Sequence, residues 1–558
     1  MKAVKFHICL VAALLLLAAC NKDEIKETND TGTNSGNGGA EPSYDESGWD
    51  MTVRVVYSSA SATVTGTTDS IVANISGAGV TITNSSTKKV RYELSGSTSN
   101  GFFKLYSGKK QAVVLDGVSI TNNSGAAINI QSGKCSYIVM NGASTLKDGS
   151  SYSTTTDEDQ KAAFFSEGQL IFSGSGSLNV TATGASGITS DDYLKFTEGS
   201  VTVSSTVGHG LRGKDSVIVT GGTIDVTVSA DMKKGITTDG TCNISGGDIT
   251  VAVSGGTSTD SDGSYSGSAG IKADSTFTIT AGNLTITNSG QGGKGISGDG
   301  DGYFRGGVVN VTITGSNYGS SGGGFPWGGG GSTSNSVGAK GIKFDGSLTF
   351  SGSTVNVNCK SHEGIEAKKT MNISDGVVYS YSQSDDAINS GSHMTITGGY
   401  VCGHSAGNDG LDANGNMYIR GGLVYAIGKS SPEMALDANT EEGYKLYVEG
   451  GTLITIGGLE RGASLTQACY SSSSWSKNAW YGLTVGDNKY CFKTPSSGGS
   501  GLVVSGASTP TLRSGVTQGT GDSYFNNTLI IGSSSFSGGT QVNLSTYTGN
   551  SGGGPGGH

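Results

Sequence analysis

Along most of the chain, apolar and polar residues alternate in short runs. Typical stretches are Phe277-Thr-Ile-Thr280, Leu284-Thr-Ile-Thr287 and Val309-Asn-Val-Thr-Ile313. Period-two alternation predicts β-strands with one buried face. Glycine pairs at Gly221-Gly222, Gly246-Gly247, Gly398-Gly399 and Gly421-Gly422 separate successive runs and predict tight corners.

The alternation sits inside a longer repeat. A two-residue phrase, Gly-Ile or Gly-Leu, returns at Gly187, Gly210, Gly235, Gly270, Gly295, Gly341, Gly364 and Gly410. Ala387-Ile388 and Ala435-Leu436 fill the same slot, and Ala127-Ile128 and Ala163-Phe164 are weaker copies. The step is 23 residues from Gly187 to Gly210, 25 to Gly235, and 23 again from Gly341 to Gly364. A unit of 23–25 residues with about three short strands makes one coil of a solenoid. Sandwich repeats near 90 residues and propeller blades near 40–50 residues do not fit this period. The expected fold is an all-β, single-stranded parallel β-helix, in which stacked Val, Ile and Leu build a core that no coil could build alone.

Three insertions break the period. Residues 147–161 carry Lys147, Asp148, Asp157, Glu158 and Asp159, and residues 254–268 carry Asp260, Asp262 and Tyr265. Residues 316–338 carry Tyr318, Phe325, Pro326 and Trp327. Solenoid insertions project as side loops, so Tyr318, Phe325 and Trp327 are candidates for stacking on sugar rings. The repeat fades after Gly457.

The chain therefore divides into a helix over 50–457, terminal coils or a small β cap over 458–548, and a Gly-rich tail over 549–558. Ahead of it, Lys2 and Lys5 precede an apolar run from Ile8 to Ala19, with Cys20 closing Leu-Ala-Ala-Cys. A short basic start and apolar core read as an export signal, and the small residues before Cys20 resemble the bacterial lipoprotein processing site, which implies a signal over 1–19 with lipidation at Cys20. The polar stretch 20–49 then serves as a flexible tether. The charged residues Lys22, Asp23 and Glu24 resemble the surface-export signals of Gram-negative lipoproteins, which implies an outer-membrane lipoprotein on the cell surface.

Composition narrows the partner. Glycine supplies 95 of 558 residues, and 35 Lys and Arg against 45 Asp and Glu give a formal net charge of -10. That balance argues against nucleic acid. No Cys-x-x-Cys occurs, so zinc and redox sites are not indicated. Cys469 and Cys491 are the candidate disulfide, and the remaining cysteines downstream of Cys20 read as small buried residues.

Aligning coils on the phrase exposes columns of side chains. In adjacent coils such residues stand only about 4.8 Å apart, and like charges at that spacing repel unless neutralised. Glu363, Asp385, Asp386, Asp409 and Asp412 form such a cluster, with no basic column evident opposite. Hard oxygens around one point suit Ca²⁺, which takes six to eight oxygen ligands. Asp191 with Asp192, and Asp299 with Asp301, are weaker candidates. The alternative is that Asp and Asn simply close corners. In earlier coils Lys234, Lys294 and Lys340 are expected to pair with neighbouring aspartates as surface ion pairs.

The strings Asp385-Asp386-Ala387-Ile388-Asn389 and Asn408-Asp409-Gly410-Leu411-Asp412, with Gly270-Ile271-Lys272-Ala273 and the lipoprotein start, resemble a bacterial family of cellulose- and polygalacturonate-binding β-helix proteins. The resemblance covers about residues 50–455. It implies a right-handed parallel β-helix with Ca²⁺ held by stacked acids at coil corners, and non-catalytic binding of an extracellular polysaccharide, either acidic or β-linked. Two other readings stay open: a surface adhesin or scaffold, and a calcium-dependent lyase using Lys368 or Lys360 as base. No residue set singles out a catalytic site.

Overall fold

The computed structural model describes residues 43–152, 158–260, 263–319 and 336–549. Cys20, the leader and most of the tether, Phe325, Trp327 and residues 550–558 lie outside the described residues. From Glu46 on, the described chain is built around a parallel β-solenoid of about 14 turns.

Each coil contributes strands to three ladders. The first is a separate 15-stranded sheet running from Ile71–Ser76 to Leu436–Ala438. The Gly-Ile phrase lies here. Ile188, Leu211, Ile236, Ile271, Ile296, Ile342, Ile365, Ile388, Leu411 and Leu436 pair in unbroken parallel register. All ten are buried.

The other two ladders belong to one 28-stranded sheet, joined where a long strand bends through a glycine corner. In Thr241–Val253 the bend falls at Ser245–Asp248, where the register to Thr276–Asn288 shifts. Gly247 takes φ +87 there, a left-handed conformation that costs a side chain dearly, and a Cβ would stand 2.9 Å from the Gly222 carbonyl oxygen. The glycine pairs are corners because their second residue must have positive φ. Between the ladders, aliphatic columns are joined by face-to-face phenylalanines, Phe172 on Phe196 and Phe304 on Phe350, both with centroids 4.9 Å apart.

The glycine of the Gly-Ile phrase has a different cause, one that periodicity alone does not reveal. A Cβ on Gly235 would stand 2.2 Å from Val251 Cγ1 on the facing strand. The same clash recurs between Gly210 and Val226, Gly295 and Val311, and Gly341 and Val357. The facing column then shrinks, running Val311, Val357, Ser380, Gly403 and Ala426 in register. In the coil where the slot holds Ala387, this column holds Gly403. Gly235→Ala is therefore expected to destabilise by about 1–3 kcal/mol through overpacking. Adding Val251→Ala should recover part of that loss, so urea unfolding of the single and double variants should be non-additive.

Both ends of the stack abandon parallel pairing. At the start, antiparallel hairpins join Met51–Ser59 to Ser61–Thr65 and Ile71–Ser76 to Ala78–Asn84. At the far end, Ser464–Leu465 still pairs parallel with Leu446–Val448, after which Cys469–Ser472 and Leu502–Ser505 pair antiparallel. Residues 480–542 supply a six-stranded antiparallel sheet. It lies against the outer face of the last coils, where Cys402, Leu423, Tyr425 and Ile454 pack with Tyr481, Leu483, Phe492 and Leu529. Tyr425 donates its hydroxyl hydrogen to the Lys493 carbonyl oxygen at 2.8 Å.

This arrangement corrects the expected Cys469–Cys491 disulfide. Both thiols are free and buried. Cys469 packs at the end of the solenoid core, whereas Cys491 pairs within the six-stranded sheet. Cys135, Cys242, Cys359 and Cys402 are also buried, as expected of small core residues.

Candidate functional site

The acidic cluster lies along one edge of the 15-stranded sheet. Strands Ile365–Ala367, Ile388–Ser390, Leu411–Ala413 and Leu436–Ala438 hold Glu366, Asn389, Asp412 and Asp437 in direct register. Glu363, Asp386 and Asp409 form a second column in the turns that enter these strands. The backbone there also bonds coil to coil, Gly364 N–H to the Asp386 carbonyl and Ala387 N–H to the Asp409 carbonyl, both at 3.1 Å. Glu363, Glu366, Asp386 and Asp409 are buried.

The structure divides the five candidates in two. Glu363 and Asp385 do have basic partners, contrary to expectation. His362 Nδ1 touches the Glu363 carboxylate and lies 2.7 Å from Asp385 Oδ2, and Lys340 Nζ lies 3.1 Å from Glu363 Oε2. Burial works against the imidazolium, yet the two carboxylates outweigh it and raise His362 to about 9. Burial pushes Glu363 up, but His362 and Lys340 hold it below the usual range; Asp385 is lowered by the same imidazole against its own burial. Even so, the buried atoms His362 Nδ1 and Glu363 Oε2 close no hydrogen bond of normal geometry. Ligand atoms of His362, Glu363 and Asp385 all lie within 4.8 Å of one another.

Asp386, Asp409 and Asp412 have no such relief. Among the described residues, no Lys, Arg or His lies within ion-pair distance of them. Asp386 accepts the Asp409 N–H at 3.1 Å and the Asn389 amide at 3.0 Å, while the same Asn389 amide reaches Asp412 Oδ2 at 3.2 Å. Asp409 accepts the Met434 N–H. Burial first, then the neighbouring carboxylates, pushes Asp386 to about 7, Asp412 to about 8 and Asp409 to about 9. Their ligand atoms do not close into a three-residue cluster of the His362 kind.

Two acids extend the column. Asp437 follows Asp412 in register, and Glu460 follows Asp437 by way of the parallel bridge Leu436–Leu459. Burial and the hydrogen bond with Asp437 raise Glu460 to about 8. The signal for Glu460 was present in the chain: Gly458-Leu459 is one more copy of the phrase, 23 residues after Ala435-Leu436. It was obscured because the rest of the repeat fades there.

The weaker metal candidates separate. Asp191 converges with Asp159 and Glu167, but Lys161 Nζ already lies 2.5 Å from its Oδ2. Asp192 accepts the Gln169 amide. Asp299 pairs with Lys272 at 2.6 Å, and Asp301 accepts the Ser347 N–H of the next coil at 2.8 Å. Of the stacking candidates, Tyr318 is described; its ring lies 5.6 Å from that of Tyr265, so two insertions meet. Lys368, a possible base, is ion-paired to Glu366.

The fold and the paired acid columns define a β-solenoid with an acidic edge. A family model described as carbohydrate-binding domain-containing protein matches residues 76–431, and the chain belongs to that family. The matched span includes Glu363 to Asp412 and ends before Asp437, Glu460 and the antiparallel sheet. A carbohydrate-binding domain-containing protein of Acetivibrio thermocellus is 34% identical over 125 residues, covering 21% of this chain and 44% of that relative's length. Among solved structures, a polysaccharide lyase-like protein from C. thermocellum, as a gadolinium derivative, is 26% identical with a TM-score of 0.37. That match covers 44% of this chain and 94% of the other.

Proposed function

We propose that this protein binds an extracellular polysaccharide without cleaving it, using calcium held along the acid edge, and that it is displayed through a lipid on Cys20 at the surface of a Gram-negative outer membrane. The observation that carries the calcium reading is the run Asp386, Asp409, Asp412, Asp437 and Glu460, five acids with no basic partner within ion-pair distance among the described residues. Stacked carboxylates at coil spacing are unfavourable alone, and a divalent cation removes the cost. The Asn389 amide, which donates to Asp386 and Asp412, and the Thr440 hydroxyl, which donates to Glu460, are the neutral polar groups beside them. A cation on this edge would link it to the carboxylates or hydroxyls of an acidic or β-linked glycan, which a chain of net charge -10 would otherwise repel.

Affinity electrophoresis through gels containing polygalacturonate or cellulose tests this reading. Retardation is expected with calcium and should be lost with EDTA. Equal migration on every glycan in calcium would favour a scaffold, and release of unsaturated, ultraviolet-absorbing products would identify a lyase.

A further inference from the structure

The same sheet edge changes sign. Upstream of Glu363 and Glu366, the turn column runs Lys234, Ala269, Lys294 and Lys340 in register, and the adjacent column runs Arg212, Thr237, Lys272, Ser297 and Lys343. Most of these bases are neutralised. Arg212 pairs with Asp239 at 2.8 Å, Lys272 with Asp274 and Asp299 at 2.6 Å each, Lys343 with Asp345, and Lys340 with Glu363 and Glu366. Lys234 and Lys294 were expected to pair likewise, and they do not. Among the described residues neither has a carboxylate within ion-pair distance, and Lys234 Nζ donates only to the Met232 carbonyl oxygen at 2.7 Å.

Burial, then Lys343, Lys340 and Lys234, pushes Lys294 down to about 8. An ammonium so placed is poorly neutralised, and an anion would relieve it.

The insertions wall this place. A methyl group on Gly267 would stand 3.0 Å from the Gly292 carbonyl oxygen, 3.3 Å from Thr257 Oγ1 and 3.4 Å from Lys294 Nζ, so the lysine and the hydroxyl converge on the face of this glycine. Thr257 is 94% buried (6% exposed), and among the described residues its hydroxyl has no hydrogen-bond partner. An unmade hydrogen bond on a buried hydroxyl is costly and marks a place for an acceptor. The Tyr265 and Tyr318 rings stand together on the same two insertions, offering an apolar surface for a sugar ring beside the charge.

We propose that Lys294, Lys234 and Thr257, flanked by Tyr265 and Tyr318, form a second saccharide site that takes the anionic group of a glycan directly, without calcium. The anion is a sulfate ester or a carboxylate; both accept from ammonium and hydroxyl groups. The inference rests on the polysaccharide reading, yet it uses neither the acid edge nor its cation.

The experiment measures binding of the full chain in EDTA to dextran sulfate, polygalacturonate and neutral dextran. Retention of at least one anionic polymer is expected, lost by about 0.5 M salt because screening shortens to a few ångströms. Dextran sulfate alone would identify sulfate, and polygalacturonate a carboxylate. Lys234→Met/Lys294→Met should weaken this retention at least tenfold while leaving the melting temperature unchanged or higher, since it removes stacked like charges. Gly267→Ala, which crowds Thr257 Oγ1 and Lys294 Nζ without altering charge, should weaken it several-fold. Asp409→Asn should leave it intact, so loss of calcium-dependent binding and loss of this site are separable. Absence of anion retention in EDTA, or retention unaffected by both the lysine and the glycine variants, would overturn the proposal.

Discussion

In EDTA, the melting temperature of this protein is expected to fall as pH rises from 6.5 to 8, and calcium is expected to reverse the fall. The sign follows from the acid edge. Burial and neighbouring carboxylates place Asp412 and Glu460 near 8 and Asp409 near 9 in the folded chain, against about 4 when unfolded. Across the intervening range the folded state holds protons that the unfolded state has released, so stability is full below the unfolded values and is lost as pH climbs toward the folded ones.

Two buried histidines act in the opposite sense. Desolvation lowers His209 to about 3 and His404 to about 4, so they cost stability only below their unfolded value near 6.5. Lys294, lowered to about 8, begins to oppose the acids only above that pH. Burial lowers His362, but its carboxylate partners raise it to about 9, so it adds to the fall over the same interval. The calcium response and an asparagine variant separate the acid edge from it. A cation bound there substitutes for the protons, and at a hundredfold excess over its Kd contributes about 2.7 kcal/mol. Differential scanning fluorimetry at several pH values, with EDTA and with calcium, provides the measurement. The Asp386→Asn/Asp409→Asn/Asp412→Asn variant should be more stable than wild type in EDTA at pH 8 and unresponsive to calcium. A pH-independent melt in EDTA, or a calcium response retained by that variant, would rule out the acid edge as the calcium site.

Asp148→Ala is expected to open the solenoid locally. Asp148 is 2% exposed and receives an unusual concentration of donors. Its carboxylate accepts the N–H groups of Thr183 at 2.6 Å, Gly184 at 3.1 Å and Ala185 at 3.2 Å, and the Tyr152 hydroxyl at 2.9 Å. Hydrogen bonds to an ionised acceptor are about twice as strong as neutral ones. Truncation strands three backbone donors, at about 1–3 kcal/mol each where water does not reach them. Because each coil contacts only its neighbours, the loss should stay local. Hydrogen exchange at Thr183–Ala185 should accelerate at least a hundredfold while amides near Ile419 are unchanged. Asp148→Asn, which keeps an acceptor oxygen, should fall between. Uniform acceleration along the whole chain would contradict this picture.

Legibility of the site tracked the repeat. The column Glu366, Asn389, Asp412, Asp437 could be aligned from spacing because the Ile of each phrase is buried at a fixed depth, and one register shift would expose it. Asp148 read only as part of an insertion, since its donors come from Thr183 to Ala185 on the next coil, which the insertion separates from it in sequence. Glu460 was masked by the irregular strands around it.

The sequence by itself determined the coil, its three strands and the stacking order. Those depend on alternation, glycine corners and a period that recurs within about 25 residues, all local properties that stacking merely repeats. Tertiary structure alone decided how the charges were settled. His362 and Lys340 turn toward Glu363 whereas Asp409 and Asp412 receive no cation, because pairing depends on side-chain direction and burial at the sheet edge rather than on spacing. It also decided that Lys234 and Lys294 stay without carboxylates, and that the aperiodic segment after Gly457 folds back as an antiparallel sheet that keeps Cys491 away from Cys469. Long-range packing of unrepeated chain leaves no periodic trace, so these outcomes emerge only when the strands are placed together.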